Sequence, residues 1–395
     1  MSGKGGCDQP VCRISAPFLT DHALVAVLEA LPGARIAGGA VRDALAGRAV
    51  SDIDLATPDP PDRVMERLRA AGLKAVPTGL AHGTVTAVAA HRGFEVTTLR
   101  RDVVTDGRHA IVEYTADWRA DAARRDFTIN AMTMTRAGEV FDYFGGIADL
   151  RAGLVRFVGD AATRIAEDYL RILRFFRFHA RYGQGAPDAA AVAAIADAVP
   201  GLAQLSAERV WSELKRILAA PDPGATLALM ERLGVLTAVL PEGVNVARCT
   251  ALVARCAPAD PVLRLAALLR GDAPALAERL RLSGGERDEL VGLLAGAAVA
   301  PGADDDALRR ALADTTRAIV IGRVWLHSGD AALIARLNAM KVPVFPLRGR
   351  DLAAAGVAAG AAMGALLRDL RAWWLEGGCR ADAAACRAEL ARRVG

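Results

Sequence analysis

The sequence predicts an α+β protein, in which a head built on a small mixed β-sheet is followed by an all-helical remainder. Three observations carry that prediction. Up to about residue 150, short β-branched runs alternate with helical stretches. From Ala161 onward the chain is dominated by Ala, Leu and Arg at helical period. Pro/Gly breaks at Pro200, Pro221 and Pro301 punctuate that second part into separate helices. With 395 residues and 53% hydrophobic content, the chain can bury more than one core, which excludes global disorder and favours two or more domains.

Taken in order, residues 1–20 read as an N-terminal extension. The stretch MSGKGGCDQPVCRIS has no apolar run after its lysine, so no secretory signal is expected and the cytoplasm is the predicted compartment. TDH at 20–22 reads as a helix cap. Residues 21–153 form the expected head: RIAGGAV (35–41), SDIDLAT (51–57), GTVTAVAA (83–90), FEVTTLR (94–100) and EVFDYFG (139–145) read as strands or strand ends, and PDRVMERLRAAG (61–72) as a helix closed by Gly72. Residues 154–220 are expected to form a helical neck and 221–395 a helical body and tail. The Ala-rich run at 189–198 reads as helix, and the longest uncharged apolar run, 352–367, as a packed helix, being shorter than the ~20 residues a membrane span needs. Trp373 and Trp374, at the end of that helix, read as core in preference to an RNA-stacking pair.

The six cysteines show no zinc spacing and read as reduced thiols. Net charge is only +4, but Lys4, Lys74, Lys215 and Lys341 are the only lysines, so the positive charge is almost all arginine, the side chain suited to forked phosphate contacts.

The densest chemistry lies in AGGAVRDALAGRAVSDIDLAT (37–57). On a strand, residues i and i+2 share a face, so Asp52 and Asp54 would stand side by side. Two carboxylates so placed repel one another unless a divalent cation sits between them, and Mg²⁺ prefers one or two carboxylates with substrate phosphate oxygens for the rest. Gly38 and Gly39 would let backbone N–H groups approach a triphosphate, with Arg42 on the following helical turn aimed at the same anion.

In EDYLRILRFFRFHARY (167–182), read as one helix, Asp168, Arg171, Arg174, Arg177 and Arg181 fall on a single stripe; four arginines there repel, so an anionic partner is expected. A carboxylate that accepts and a guanidinium that donates match the Watson–Crick edges of cytosine and adenine and mismatch guanine and uracil. In RRDFTINAM (124–132), Arg125 suits a triphosphate, while Asp126 or Asn130 suits a ribose hydroxyl, with helix capping an equal reading for Asp126. Glu95 is a candidate third acidic group or a solvated strand carboxylate.

GGAVRDALAGRAVSDIDLAT (38–57) resembles the signature of the class II nucleotidyltransferases of the polymerase-β superfamily, which include CCA-adding tRNA nucleotidyltransferases and bacterial poly(A) polymerases. Residues 124–132 resemble that family's ribose motif, FDYFGGIADL (141–150) its hinge segment, 167–182 its nucleotide-template helix and LSAERVWSELKRIL (205–218) the helix supporting it. The resemblance implies a polymerase-β-like head, Mg²⁺ as cofactor, ATP, CTP and tRNA as partners with neither membrane nor protein partner, and template-independent CCA addition. It also implies base reading by Asp168 and Arg171, with Arg174 and Arg177 near the nucleotide. TGLAHGTVTAV (78–88) lacks the basic stretch of the poly(A) polymerases, and residues 100–123 fill the place of the flexible loop that CC-adding members lack, so complete CCA addition is expected ahead of poly(A) synthesis or partial addition. That loop, around residues 104–110, is expected to couple primer length to pocket shape. An inactive RNA-binding scaffold is the alternative of another class.

Overall fold

In a computed structural model, which describes residues 8–105 and 110–394 and the side chains of all of these except 102–105 and 110–112, the chain forms two compact units. One comprises Met1–Ile217 with Leu229–Val239, the other Leu218–Ala228 with Leu240–Gly395.

The first unit carries the sheet. Its elements are β1 (Cys12–Arg13), α1 (His22–Ala30), β2 (Arg35–Ala37), α2 (Gly39–Leu45), β3 (Asp54–Thr57), α3 (Pro61–Ala70), β4 (Lys74–Gly79), β5 (Thr84–Ala89), β6 (Arg92–Thr98), β7 (Arg100–Thr105), β8 (Ala110–Tyr114), α4 (Trp118–Ala123), β9 (Met132–Met134) and β10 (Glu139–Asp142). Eight strands pair in the order β1-β10-β9-β2-β3-β6-β5-β4, all antiparallel except β3 on β6, so the sheet is mixed as predicted. Asp21 caps α1, its side chain accepting from the Ala23 and Leu24 amides.

Alternation decides what each sheet face does. Along β5 and β6, Val85, Ala87, Ala89, Phe94 and Val96 are buried with Leu24 and Val27 of α1, Leu31 just after it, and Val64 and Leu68 of α3. Their neighbours Thr84, Glu95 and Thr97 point to the opposite face and line a cavity there. One period-2 pattern therefore supplies both the core and one wall of the site.

Helices follow: α5 (Gly146–Arg151), α6 (Ala161–Glu167), α7 (Leu170–Tyr182), α8 (Ala189–Ala198) and α9 (Ala207–Leu218). The aromatic rings of Phe127, Phe157, Phe175 and Phe178 pack together, Phe127 lying 4.8 Å from Phe157 and 5.3 Å from Phe178 between ring centroids, which fixes the apolar face of α7. In the second unit every regular element among the described residues is a helix. Its buried Arg264 donates to the carbonyls of Leu218, Ala220 and Pro221, all residues of the same unit.

Two expectations need correction. The run 352–367 is not one packed helix: Gly349–Ala354 and Ala361–Glu376 are separate helices, most of the intervening residues are exposed, and Gly356 (φ +83°) and Gly360 (φ +141°) adopt backbone angles that end a helix. Ala and Gly side chains offer too little surface to bury. Trp374 is core as expected, packed on Phe345 and donating its indole N–H to the Ala381 carbonyl at 3.0 Å, with Trp373 packed against the same cluster. The second correction concerns 100–123, which is not a loop at full length: β7 and β8 pair as a two-stranded ribbon and α4 closes the segment. Residues 106–109, within the part expected to respond to primer length, lie outside the described residues.

Candidate active site

A cavity of about 700 Å³ opens on the free face of the sheet, lined by Gly38, Gly39, Arg42, Asp54, Glu95, Asp121, Arg124, Arg125, Asp126, Asn130, Asp168, Arg171, Arg174 and Arg177 among others. Eleven of the twelve predicted site residues thus meet in one place, and Asp52 adjoins it.

Asp54 opens β3 opposite Ala37 of β2. Asp52 does not lie on the strand. The pairing stops because β2 ends at Ala37 and Gly38, with φ +64°, turns the chain into α2, leaving the residues before Asp54 without a strand partner. Asp52 is exposed on the preceding loop, its carboxylate accepting from the Ser51 hydroxyl at 3.1 Å. The two carboxylates remain electrostatically coupled. Desolvation raises the Asp54 carboxyl above its usual range, the charges of Glu95 and Asp52 raise it further, and Arg125 offsets part of this. Glu95, on the strand parallel to β3, therefore faces the cavity with Asp54 and is not simply a solvated strand residue.

Surplus like charge with hard oxygen donors is what a divalent cation relieves. Among the described residues no group of three or more His, Cys, Asp or Glu side chains could hold a metal ion alone. A set of so few carboxylates fits a hard cation that takes its remaining oxygens from a phosphate substrate.

The glycine turn and the arginines interlock. A Cβ on Gly38 would lie 3.0 Å from Arg125 Nη1, so the absent side chain makes room for that guanidinium. Arg42 is buried and differs from expectation: it donates to Asn130 Oδ1 (2.6 Å) and to Asp43 (3.1 and 3.2 Å), and stacks 4.6 Å over Tyr182. It reaches the cavity, but its fork is taken up by protein groups. Asn130 in turn donates to Asp126 Oδ1 at 3.0 Å, and Asp126 Oδ2 accepts from Arg174 at 2.8 and 2.5 Å. Burial raises the Asp126 carboxyl, but the adjoining Arg174 charge and these hydrogen bonds outweigh it and hold the group below the carboxylate range. Asp126 also accepts from the Phe127 amide at 2.9 Å and does not cap a helix; the 3₁₀ turn Thr128–Asn130 is preceded by Phe127.

Residues 167–182 do not form one helix. Asp168 is extended (φ −160°, ψ 107°) between α6 and α7. Its carboxylate accepts from the Leu170 amide at 3.1 Å and from Arg209 Nη2 at 2.7 Å, bonds that substitute for the continuing helix. Nor is the arginine stripe uncompensated. Arg171 pairs with Glu167, Arg174 with Asp126, and Arg177 with Glu213 at 3.0 Å. The anionic partners expected from repulsion are in part carboxylates of the same chain. Desolvation and then the Arg174 charge bring Arg177 down to about 10, still a cation at neutral pH.

Residues 34–156 match the family described as Poly A polymerase head domain, and residues 187–245 match the one described as Probable RNA and SrmB- binding site of polymerase A. The chain is 39% identical over 367 residues to CCA tRNA nucleotidyltransferase 1, mitochondrial, of Mus musculus, a match spanning 88% of this chain and 84% of that protein. The chain belongs to the CCA tRNA nucleotidyltransferase family.

The human CCA tRNA nucleotidyltransferase 1, mitochondrial, is 38% identical over 364 residues, covering 87% of this chain and 83% of its own. The crystal structure of a Bacillus stearothermophilus CCA-adding enzyme in complex with CTP superposes with a TM-score of 0.77 at 26% identity, covering 96% of this chain and 98% of that one. The α+β fold of the CCA tRNA nucleotidyltransferases is thus the fold of this protein, with its sheet in the head and helices thereafter. Sequence reasoning about this family member missed Asp121, Arg124, Arg209 and Glu213. For Asp121 a local signal existed, since an acid three and four residues before Arg124 and Arg125 is well placed to pair with both. For Arg209 and Glu213, whose partners Asp168 and Arg177 lie 41 and 36 residues away in the chain, none did.

Proposed function

We propose that this protein completes tRNA 3′ ends with CCA, taking CTP and ATP without a nucleic-acid template and releasing pyrophosphate. The carrying observation is that Asp168 and Arg171 line the same cavity as Asp54 and Glu95, so a base-reading pair and a carboxylate cluster share one space. The cavity wall presents seven arginines against five carboxylates, a balance that favours a polyanion arriving with its own cations.

Asp52 and Asp54 would hold Mg²⁺, which when bound activates the primer 3′-hydroxyl and steadies the leaving pyrophosphate. The protein's own groups do the rest. Arg125 faces the triphosphate beside Asp54, and the Gly38–Gly39 turn keeps side-chain bulk away from it. Asp168 accepts from the exocyclic amine of C or A, and Arg171 donates to the ring nitrogen. Both retain valences for this: two hydrogen bonds use only half of the four lone-pair sites of the Asp168 carboxylate, and Arg171 bonds Arg164 and Glu167 through Nη1. Asp126 or Asn130 sets the ribose preference, Asp126 through Asn130 and Arg174 because its own four acceptor sites are taken, and Arg174 and Arg177 lie near the nucleotide. On this reading residues 21–153 are the catalytic head, 154–220 the neck, and 221–395 the body and tail that bind tRNA. The cytoplasmic compartment belongs to the same reading, on the five described cysteines that stand as free thiols.

The test is incorporation of radiolabelled CTP and ATP into tRNA transcripts ending before CCA, after CC and after CCA. Arrest at CC marks a partial enzyme, continued A addition a poly(A) polymerase, and RNA binding without incorporation a scaffold. Arg171→Ala is expected to weaken use of CTP and ATP about tenfold or more while relaxing exclusion of UTP and GTP, as the loss of a base-edge contact worth ~1–3 kcal/mol implies. Unchanged nucleotide choice in that variant would assign Arg171 to phosphate or to structure.

A further inference from the structure

Asp121 is one of the most buried charged side chains of the protein, 1% exposed, yet it lines the cavity. Its carboxylate is fully engaged. Oδ1 accepts from Arg124 Nε at 2.9 Å and from the Arg100 backbone N–H at 3.3 Å, and Oδ2 accepts from Arg125 Nη2 at 3.2 Å. The other Arg125 terminal nitrogen, Nη1, donates to the Asn130 carbonyl at 3.3 Å and occupies the space beside Gly38. Arg125 is therefore held at two points, one on the glycine-turn side and one on Asp121. It is also the cation that lowers Asp54.

Resting on the nucleotidyl-transfer reading above, we infer that Asp121 is the positioning residue for the triphosphate, aiming the Arg124 and Arg125 guanidiniums into the cavity without touching the nucleotide itself. A long arginine has several rotatable bonds, and one that must meet a phosphate in a fixed place loses that entropy on binding unless the free protein has already fixed it. A buried carboxylate is suited to do so because the arrangement costs it nothing further: burial raises its pKa, but Arg125 and Arg124 outweigh that, so it stays ionised. The same oxygen that holds Arg124 accepts from Arg100, the first residue of β7, so the root of the ribbon and the phosphate-facing arginines share one anchor.

The experiment measures CTP and ATP dissociation constants by calorimetry, with incorporation kinetics on tRNA alongside, in wild type, Asp121→Asn, Asp121→Glu, Arg125→Ala and the Asp121→Asn/Arg125→Ala pair. Asp121→Asn is expected to weaken both nucleotides about tenfold, the size of one charge-assisted hydrogen bond, with a smaller change in kcat. In the Arg125→Ala background the same substitution is expected to add clearly less than that tenfold, since only the part that passes through Arg124 then remains. Should Asp121→Asn fail to fold, Asp121→Glu decides alone: it keeps the charge, moves the carboxylate by one methylene, and is expected to weaken binding in the same direction. Unchanged nucleotide affinity in a folded variant, or a full additional loss on top of Arg125→Ala, would overturn the inference. A wild type that binds CTP but incorporates nothing would instead count against the nucleotidyl-transfer reading and leave the binding comparison intact.

Discussion

Asp54→Ala is expected to remove CMP and AMP incorporation together, by about a thousandfold or more, while tRNA affinity stays within a few-fold of wild type. The magnitude follows from the several kcal/mol of charge stabilisation that a bound cation gives at a transferring phosphoryl group. Both nucleotides suffer alike because Asp54 stands on β3, a different element from those that carry Asp168 and Arg171, the groups proposed to read the base. The fold should hold, since Asp54 is exposed and its carboxyl carries an unfavourable burden of desolvation and like charge; the variant is expected to melt no lower than wild type. Incorporation assays with each labelled nucleotide, filter binding of tRNA and a thermal melt check the three parts. Near-wild-type turnover would remove Asp54 from the metal site.

Arg174→Ala is expected to produce the largest loss of stability at the site. Its partner Asp126 is 10% exposed and receives two hydrogen bonds from this guanidinium. Removing one member of a buried pair leaves an uncompensated charge, at a cost of about 3 kcal/mol. The sign with pH can be worked out. Asp126 is depressed in the native protein, so its stabilising contribution is present above the unfolded carboxylate value and is lost as pH falls through the folded one. In the variant, burial acts without the opposing cation and the carboxyl rises. The gap in melting temperature between wild type and Arg174→Ala should therefore be widest near neutrality and narrow below about pH 4. Adding Asp126→Asn to Arg174→Ala should recover part of the loss at pH 7, because no buried charge then remains. A gap independent of pH would mean that Arg174 stabilises through packing on Phe178, over whose ring it lies at 5.6 Å.

What the sequence disclosed was mostly what neighbours in the chain decide. The Gly38 turn, the acid at Asp54 and the phosphate-suited Arg125 are legible because a positive φ needs glycine and a strand end exposes its first side chain. The helices at 189–198 and 207–218 are legible from period. The partners of the arginine stripe were not, because Asp126 and Glu213 stand 48 and 36 residues from Arg174 and Arg177. Repulsion along one helix suggested an external anion, whereas the fold brings carboxylates from two other elements. The break at Asp168 escaped for a related reason. No glycine or proline marks it, and the bond to Arg209 that holds it arises 41 residues downstream.

That break gives the two groups proposed to read the base different anchors. Arg171 is fixed on the frame of α7, whereas Asp168 sits on the joint ahead of it, held by Arg209 and the Leu170 amide at its carboxylate and by Ile165 and Arg171 along its backbone. The pair is built like a caliper whose jaws are clamped separately, one by its own helix and the other by a side chain from α9.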